Sequence, residues 1–398
     1  MNSRSDDVQP RPPLRRGRAR VDSAAEPGAE IWGRRADAAE SAVVSRHLRR
    51  LWLLPGTDLG VVGWPATPAE RLFFTWNYWW QAHLIDCAVD AVDRAATADR
   101  TARVATLART HRLRNITGWT NNYYDDMAWL AIALERAERS GGSSELRGGL
   151  SALEQQLTAG WQPEIGAVPW RKGDDYFNAP ANGPTAIALA RLGHHDRAAR
   201  IADWIDATLR DPESGLILDG IHLPGGRIER PTFTYCQGVV LGLETELAVH
   251  TGDIRHAERV VRLTHAVEER MTAEKVITGG SGGDGGLFNG ILARYLALVA
   301  IMLPGDDATQ RLARQSAAAI VKVSARAAWE HRLEVEGDPL FGPDWAIPAR
   351  LPHGTAGAGR PTPGGSVSPS RTPERDLSVQ LSGWMLMEAA QVVTAAGL

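Results

Sequence analysis

The chain has 398 residues, a net charge of -3 and a pI near 6.4, and 43% of its residues are hydrophobic. It can bury a large core, and its balanced charge gives no whole-chain attraction to nucleic acid or anionic membranes. Two cysteines, Cys87 and Cys236, are too few for a disulfide framework, and no Cys-x-x-Cys spacing predicts a metal site. Fourteen tryptophans against six phenylalanines favour a flat aromatic platform for a ligand.

The first 30 residues are rich in Arg, Pro, Asp and Ala, which predicts a disordered tail. Arg15 and Arg16 resemble the start of a twin-arginine signal, but residues 21–26 are small or polar where an apolar segment should follow. No run of residues approaches the ~18 consecutive apolar residues of a membrane helix. We therefore expect a cytoplasmic protein with no membrane span, with export by an atypical route as the alternative.

Helical periodicity begins near Ile31 and recurs about a dozen times along the chain. The predicted helices cover residues 31–51, 71–86, 99–112, 125–140, 144–157, 185–192, 196–209, 239–249, 254–272, 291–302, 310–329 and 377–396. Strand patterns are nearly absent, apart from a possible short hairpin between residues 211 and 233. Residues 354–373 are rich in Pro, Gly and Ser and are predicted to be a mobile loop.

Consecutive helix–loop–helix units of this number favour a closed toroid of helical hairpins over a bundle. Residues 31–398 would then form one domain, with the acidic and aromatic loop residues gathered at one mouth of the barrel. Two loops carry weaker signals. The acidic pair at residues 174–175 is typical of a solvated turn, and the Gly-rich residues 278–286 lack the lysine and the spacing of a phosphate-binding loop.

Two adjacent carboxylates, Asp125 and Asp126, stand at the start of an amphipathic helix. One interpretation is structural: acidic residues suit the positive end of a helix dipole, and an asparagine at 121 or 122 would cap the helix. The other is catalytic, because aromatic residues flank the pair and sugar-cleaving sites combine paired carboxylates with stacking rings. The residues alone leave both interpretations open.

The segment 71–86 is the second unusual stretch, because its aromatic density exceeds what one core-facing stripe needs. Part of it is therefore expected to face a cleft. His83 and Asp86 are spaced i, i+3 on this helix, and we interpret them as a satisfied polar pair near its surface rather than as metal ligands.

The sequence Tyr-Tyr-Asp-Asp-Met-Ala-Trp at residues 123–129 resembles the tandem-aspartate motif of glycoside hydrolase family 76, the endo-α-1,6-mannanases. Other stretches resemble the same family in the same order, at residues 80–86, 178–184, 215–220, 234–238 and 288–296. Together they run from about residue 73 to residue 298. The ordered set is more specific than any one of its motifs.

This resemblance implies an (α/α)6 barrel and retaining hydrolysis of α-1,6-mannosidic bonds in mannan or in mannose-containing oligosaccharides. It assigns Asp125 as the nucleophile and Asp126 as the general acid/base. Neither a metal nor another cofactor is needed by such a mechanism. Asp126 would need a raised pKa, from burial or from the like charge of Asp125, to hold its proton near neutral pH.

Further residues are predicted to bind the substrate. The predicted sugar platforms and polar contacts are Trp76, Trp80, Tyr123, Tyr124, Asn182, Asp219, Tyr235, Gln237 and Asp284. For each aromatic residue plain core packing stays an equal alternative, and for Trp129, which lies inside the helix, core packing is favoured. Asn182 is equally well explained as a turn residue.

The chain departs from the usual family pattern at Cys236, Gly285 and Asn289, where Asn, Gln and Lys are common. These positions border the substrate groove, so the contacts to sugar are expected to differ here. Three alternatives stay open: a transglycosidase on the same fold, a non-catalytic carbohydrate-binding protein, and an isoprenoid enzyme that uses the aspartates to bind magnesium diphosphate. The last is disfavoured because the third carboxylate of a DDxxD box is absent. The expected partner is a carbohydrate, not a nucleic acid, and oligomeric state is not predicted.

Overall fold

The computed structural model describes residues 27–141, 144–355, 357–362 and 366–398. Helices dominate these residues. They are α1 (Ala29–His47), α2 (Pro68–Arg71), α3 (Tyr78–Arg94), α4 (Ala98–Arg114), α5 (Tyr124–Arg139), α6 (Ser144–Gly160), α7 (Ala179–Arg191), α8 (His195–Thr208), α9 (Thr234–Thr251), α10 (Ile254–Met271), α11 (Phe288–Met302), α12 (Ala308–His331) and α13 (Leu377–Ala395).

Short antiparallel hairpins decorate the helices. The strands are β1 (Leu48–Arg49), β2 (Leu59–Gly60), β3 (Tyr176–Asn178), β4 (Gly220–His222), β5 (Arg227–Glu229), β6 (Thr272–Ala273), β7 (Val276–Ile277), β8 (Leu333–Val335) and β9 (Asp338–Leu340). The largest sheet has three strands in the order β3-β4-β5. It joins the segment before α7 to the hairpin before α9.

Six helices form a closed inner ring. α3, α5, α7, α9, α11 and α13 each pack on the next, and α13 packs back on α3. Five outer helices, α4, α6, α8, α10 and α12, pack on the inner helix that neighbours them in the chain, and α1 packs on α13. This arrangement is an (α/α)6 barrel, so the fold predicted from the sequence is confirmed.

The inner helices are buried on almost every side, which explains their composition. The segment Gly283–Met302, which contains α11, includes an 18-residue window with a mean hydropathy of 1.6, and it is the one helix in the described part of the chain that is long and apolar enough to cross a membrane. Sixty-seven per cent of its most apolar window is buried within the barrel. Its apolar character therefore has an explanation in core packing.

Glycines at two inner-ring contacts allow the helices to approach closely. A Cβ atom on Gly238 of α9 would lie 2.9 Å from the Cα of Leu292 on α11. A Cβ atom on Gly290 of α11 would lie 2.6 Å from the Cα of Ser382 on α13. Because backbone atoms cannot move aside as a flexible side chain can, both positions require glycine.

The carboxyl-terminal halves of the inner helices carry an ion-pair network around a cavity of about 490 Å³. Asp86 is bound by Arg136 at 2.6 Å and by Arg294 at 3.1 Å. Asp86 and His83 are both buried, and neither ring nitrogen of His83 has a hydrogen-bond partner. The predicted polar pair near the helix surface is therefore wrong: the carboxylate pairs with arginines of other helices, and the imidazole packs between rings.

Several predicted boundaries differ from the observed ones. The helix predicted from residue 71 begins at Tyr78, and the helices predicted from residues 185 and 239 begin earlier, at Ala179 and Thr234. Residues 1–26 of the predicted tail, and residues 356 and 363–365 of the predicted mobile loop, lie outside the described residues. The tail prediction stops too late, since α1 already begins at Ala29.

Candidate active site

A cavity of about 370 Å³ opens at the end of the barrel where the amino termini of the inner helices meet. Its walls are made by side chains in the first turns of these helices and in the segments just before them. The lining residues are Asn77, Tyr78, Trp79, Tyr123, Asp125, Asp126, Trp129, Trp170, Tyr176, Asn178, Pro180, Asp219, Phe233, Tyr235, Asp284, Phe288, Ser366 and Val367.

The tandem aspartates lie in the first turn of α5, whose N-cap residue is Tyr123. Neither asparagine before it caps the helix. Instead, Asn121 accepts a hydrogen bond from the backbone N–H of Tyr123 at 2.9 Å and donates its amide to Asp126 Oδ2 at 2.6 Å. Asn121 therefore does not cap the helix, and its side chain binds the carboxylate of Asp126 directly.

Asp125 receives two hydrogen bonds of its own. The indole N–H of Trp170 donates to its Oδ2 at 2.8 Å, and the backbone N–H of Asp126 donates to its Oδ1 at 2.8 Å. Trp170 is held in place because its carbonyl accepts from the backbone N–H of Tyr124 at 2.9 Å and because Tyr123 pairs with Arg171 in a β-bridge. The segment before α5 thus positions both the acids and the indole that binds one of them.

Burial raises the pKa of both carboxyl groups, but the neighbour with the largest effect lowers the pKa of Asp125 and raises that of Asp126. Burial raises the pKa of Asp125 to about 7, opposed by the hydrogen bond from Trp170. Burial, together with the charge of Asp125, raises the pKa of Asp126 well above its usual value. A hydrogen-bonded carboxylate thus stands next to a carboxyl group that favours its protonated form, which is the pairing that acid-assisted nucleophilic chemistry requires.

Asp284 is the third carboxylate of the cavity, and it accepts hydrogen bonds from three donors. The indoles of Trp79 and Trp80 donate to its Oδ1 at 3.0 and 2.8 Å. The backbone N–H of Val367 donates to its Oδ2 at 2.6 Å. Burial raises the pKa of Asp284, and its charge raises the pKa values of Asp125 and Asp126. It lines the cavity, and the three groups that donate hydrogen bonds to it belong to the protein.

Asp219 is the fourth carboxylate. The hydroxyl of Tyr176 donates to its Oδ2, and the thiol of Cys236 donates to its Oδ1 at 3.7 Å. Burial raises the pKa values of both Asp219 and Cys236, so the thiol keeps its proton. The thiol of Cys236 is therefore a weak donor to the Asp219 carboxylate. Asn289 is buried, and its side-chain oxygen accepts a hydrogen bond from the Thr234 hydroxyl at 2.8 Å.

Aromatic rings cover two sides of the cavity. Tyr123 and Trp170 meet edge to face, with centroids 5.2 Å apart. On the other side Tyr235 and Phe288 stack at 3.9 Å with an interplanar angle of 7°, and Phe233 packs against both. Such walls suit the apolar faces of a pyranose ring.

Two predicted substrate contacts lie outside the cavity. Asn182 is fully buried, and its amide bonds the backbone N–H and C=O of Val168, both at 2.8 Å. Gln237 is also fully buried and bonds the backbone N–H and C=O of Ile217, at 2.7 and 2.8 Å. The prediction that they contact sugar is therefore wrong. A side-chain amide can donate to and accept from the same peptide group, and here each amide binds its helix to the preceding loop.

Three of the predicted sugar platforms, Trp76, Trp80 and Tyr124, are not among the residues that line the cavity. Trp76 packs edge to face on Tyr78 and His111. Trp80 is buried and directs only its N–H to Asp284. Tyr124 is buried against Gly160, where an added Cβ would lie 2.3 Å from its ring. Trp129 is 5% exposed but does line the cavity, so core packing and cavity lining coexist there.

The predictions omitted several lining residues. They are Asn77, Tyr78, Trp79, Trp170, Tyr176, Asn178, Pro180, Phe233, Phe288, Ser366 and Val367. The sequence offers a usable signal for Tyr78, Trp79, Tyr176, Phe233 and Phe288, because each stands within three residues of the start of an inner helix. Trp170 lies farther upstream and has no such signal. Nothing local in the sequence indicates residues 366–367, which reach the cavity through a loop.

The cavity has a marked charge imbalance. Among the described residues that line it, four are aspartates and none is Lys, Arg or His. A diphosphate would meet only negative charge here, which argues against the isoprenoid alternative. Nor does any group of three His, Cys, Asp or Glu side chains in the described ranges have the arrangement of a metal site.

Comparison with known proteins gives one family. Residues 37–345 match the model of Glycosyl hydrolase family 76. The GH76A α-1,6-mannanase from Salegentibacter sp. HEL1_6 superposes with a TM-score of 0.75 at 27% identity, covering 91% of this chain and 99% of that chain. An inactive variant of that enzyme, with two consecutive aspartates replaced by asparagine, forms a complex with α-1,6-mannotriose and matches at 26% identity with the same TM-score and coverage. No curated protein sequence matches significantly.

A more distant structure shares the fold. Dfg5 from Chaetomium thermophilum, in complex with glucosamine, superposes with a TM-score of 0.69 at 15% identity and covers 92% of this chain and 91% of its own. At that identity the likeness concerns the barrel alone.

Proposed function

Because the chain belongs to glycosyl hydrolase family 76, we propose that it is a retaining glycoside hydrolase that cleaves α-1,6-mannosidic linkages in mannan or in mannose-containing oligosaccharides. The observation that carries this proposal is the pair Asp125 and Asp126 in a cavity walled by aromatic rings. The solved mannanase complex with α-1,6-mannotriose supports the choice of linkage.

In the proposed first step, Asp125 attacks the anomeric carbon while Asp126 protonates the departing glycosidic oxygen. The bond to the leaving sugar breaks, and a covalent glycosyl–enzyme ester forms. The two hydrogen bonds to Asp125 favour its charged form, and burial beside that charge keeps the proton on Asp126. In the second step Asp126 takes a proton from water, whose oxygen attacks the same carbon. The ester bond to Asp125 breaks, and the sugar is released with its original configuration.

Hydrolysis of α-1,6-mannobiose, longer α-1,6-mannooligosaccharides and other mannosides tests this proposal. We expect cleavage of α-1,6 bonds, and a loss of several orders of magnitude in kcat for Asp125→Asn and Asp126→Asn. Asp175→Asn is the matched control, because Asp175 also belongs to a tandem pair but is exposed and lies outside the cavity. Equal activity of all four proteins would refute the catalytic role of the pair.

Azide separates the roles of the two carboxylates. With an activated aryl α-mannoside, Asp126→Ala should regain turnover in azide and give the α-mannosyl azide, because azide replaces water in the second step. Asp125→Ala should give the β-mannosyl azide by direct attack. Interchanged products would reverse the two assignments. Wild-type binding without turnover would favour a carbohydrate-binding protein, and glycosyl transfer to an added mannoside in preference to water would favour a transglycosidase.

A further inference from the structure

Three segments of the chain expose large apolar side chains. They are the turn at residues 51–54, the loop at residues 72–76 between α2 and α3, and residues 113–116 at the end of α4. Leu53, Phe74 and Ile116 are 85%, 74% and 95% exposed, more than any other large hydrophobic residue in the described ranges. We call the exposed set the apolar patch, and its members are Trp52, Leu53, Leu54, Leu72, Phe74 and Ile116.

Hydrogen bonds and packing join the three segments into one surface. The indole N–H of Trp52 donates to the carbonyl of Leu72 at 2.8 Å. Nε and Nη2 of Arg114 donate to the carbonyl of Phe73 at 2.8 and 2.6 Å, and the same guanidinium lies 6.0 Å from the centre of the Trp52 ring. Leu51 and Phe73, which adjoin exposed members in the chain, are both fully buried in one small apolar cluster. The fold therefore fixes the position of the patch.

The backbone of this surface is strained at three bulky residues. The φ angle is +48° at Trp52, +63° at Leu53 and +56° at Phe73. Bulky side chains rarely adopt such angles, and the conformation persists only where surrounding contacts maintain it. Single exposed apolar residues are common, but a contiguous patch held in solvent by a strained backbone indicates a surface that contacts a partner.

The residues around the apolar patch are basic. Residues 48–58, 69–76 and 109–117 contain six arginines and only two acids, Asp58 and Glu70. Glu70 is buried, and its carboxylate is paired at 2.7 Å with an arginine from the segment before α13. This surface is therefore positively charged, although the net charge of the whole chain is -3.

Three of these arginines can meet a negatively charged partner. Arg49, Arg50 and Arg71 are exposed, and none of them forms an ion pair with another residue that the structure describes. Arg112, in contrast, is paired with Glu145 at 3.2 Å. Exposed apolar side chains beside unpaired arginines match the surface of an anionic bilayer, where apolar groups enter the headgroup boundary and basic groups meet lipid phosphates.

Two other partners fit these residues less well. In a symmetric dimer the patch would face its own copy, which would bring the arginines of both chains together. A neutral polysaccharide would stack on aromatic rings, whereas Leu53, Leu54 and Ile116 are aliphatic, and it would leave the arginines without a counter-charge. An anionic lipid surface suits both the apolar and the charged residues.

We propose that the apolar patch docks the protein on an anionic membrane surface. The three most exposed side chains enter the boundary between headgroups and acyl chains, and the unpaired arginines bind lipid phosphates. The patch adjoins the candidate active site, because Trp76 packs on Tyr78, which lines the cavity. Docking is separate from the hydrolysis proposed above and does not depend on it.

The test is co-sedimentation with sucrose-loaded vesicles, made either of phosphatidylcholine alone or of phosphatidylcholine with an equal amount of phosphatidylglycerol. Wild type should bind the anionic vesicles and hardly bind the neutral ones, and added salt should weaken the binding. Leu53→Ser/Phe74→Ser should weaken it by about tenfold or more, because two large apolar side chains no longer enter the bilayer. Leu312→Ser is the matched control, because Leu312 is a 63% exposed leucine on α12, outside the patch.

A charge variant tests the second half of the proposal independently. Arg49→Gln/Arg71→Gln should weaken binding to the anionic vesicles by about fivefold for each arginine removed. Both double variants should melt at the temperature of wild type, because the replaced side chains are exposed.

Four results would overturn the proposal. Wild type that stays in solution with anionic vesicles would do so, as would equal binding by Leu53→Ser/Phe74→Ser and Leu312→Ser. A wild-type dimer in light scattering that becomes monomeric in the double serine variant, without vesicle binding, would assign the patch to a second copy of the chain. Retention on immobilised α-mannan that the same variant loses, again without vesicle binding, would assign it to a polysaccharide.

Discussion

At the scale of single residues, the site depends on keeping two neighbouring carboxyl groups chemically different. Trp170 and a backbone N–H bind Asp125, whereas Asp126 is held by one asparagine amide and feels the charge of Asp125. Hydrogen bonds to a carboxylate favour its charged form, and a like charge disfavours it. The roles proposed for the two residues, Asp125 as nucleophile and Asp126 as acid, are consistent with these neighbours.

Removing the indole donor should shift the pH dependence of kcat/KM. With a pKa of about 7, Asp125 loses its charge as the pH falls through 7, and the proposed nucleophile is then lost. Trp170→Phe removes a hydrogen bond that lowers this pKa, so the acid limb should move to higher pH. Asp284→Asn removes a like charge that raises it, so the limb should move to lower pH. Trp161→Phe, outside the cavity, should leave the profile unchanged. Shifts in one direction for both active-site variants would contradict this account.

Replacing Asp125, the proposed nucleophile, should stabilise the fold at neutral pH. Because the pKa of Asp125 is raised on folding, the protonated form is favoured in the folded state, and stability is lost as the pH rises from about 4 to about 7. Asp125→Asn avoids this loss. It should increase the free energy of unfolding at pH 7.5 by at least about 1 kcal/mol, since a tenfold change in proton affinity corresponds to about 1.4 kcal/mol.

Thermal melts of both proteins at pH 7.5 and pH 4.5 check this expectation, with the gain shrinking at the lower pH. Asp86→Asn is the counterpart, because Arg136 and Arg294 outweigh burial and lower the pKa of Asp86 to about 2. That variant should melt at a lower temperature than wild type at pH 7.5. A stabilised Asp86→Asn together with a destabilised Asp125→Asn would reverse the argument.

At the scale of elements, the inner helices and their preceding loops are joined by buried side-chain amides. Asn182 binds Val168, and Gln237 binds Ile217, each through both the N–H and the C=O of the peptide. These bonds hold the loops whose neighbouring residues, Trp170 and Asp219, face the cavity. The amides therefore act on the site through position.

Asn182→Ala should accordingly destabilise the protein while sparing the chemistry. Two buried backbone groups of Val168 would lose their partner, at a cost of about 1–3 kcal/mol for each unsatisfied group. Urea denaturation should show the loss, and KM for mannooligosaccharides should stay within about twofold for the folded fraction. A large rise in KM with unchanged stability would instead indicate direct sugar contact. Asn121→Ala provides the contrast, since its amide reaches Asp126 itself.

The helical pattern of the sequence was enough for most elements but not for the starts of the inner helices. α7 begins at Ala179 although Pro180, Gly183 and Pro184 discourage a helix. Asn178 caps it, Pro180 stands where no N–H bond is needed, and tertiary packing supports the rest. Likewise, the tandem aspartates were recognisable as a local motif. The hydrogen bonds from Trp170 to Asp125 and from Val367 to Asp284 were not recognisable, because they join residues 45 and 83 positions apart in the chain.

At the scale of the whole molecule, the two ends of the barrel hold charge in different ways. At the amino-terminal end, four aspartates line a cavity without any basic side chain among its described lining residues. At the opposite end, Arg136 binds Asp86, Asp90 and Asp93, and Arg294 binds Asp86 and Asp90. One end leaves carboxyl groups uncompensated, which suits catalysis, and the other neutralises them across helices α3, α5 and α11, which suits stability.

The larger cavity at that opposite end is therefore predicted to matter for folding and not for turnover. Arg136→Met keeps the length of the side chain but leaves Asp86 and Asp90 with Arg294 alone, and breaking such a buried network typically costs about 3–5 kcal/mol. Chemical denaturation should register this loss, while kcat on α-1,6-mannooligosaccharides, measured at a temperature where the variant stays folded, should match wild type. A folded variant with wild-type stability and reduced kcat would mean that the two ends are coupled. The separation of charge along the barrel axis would then have to be part of the catalytic apparatus.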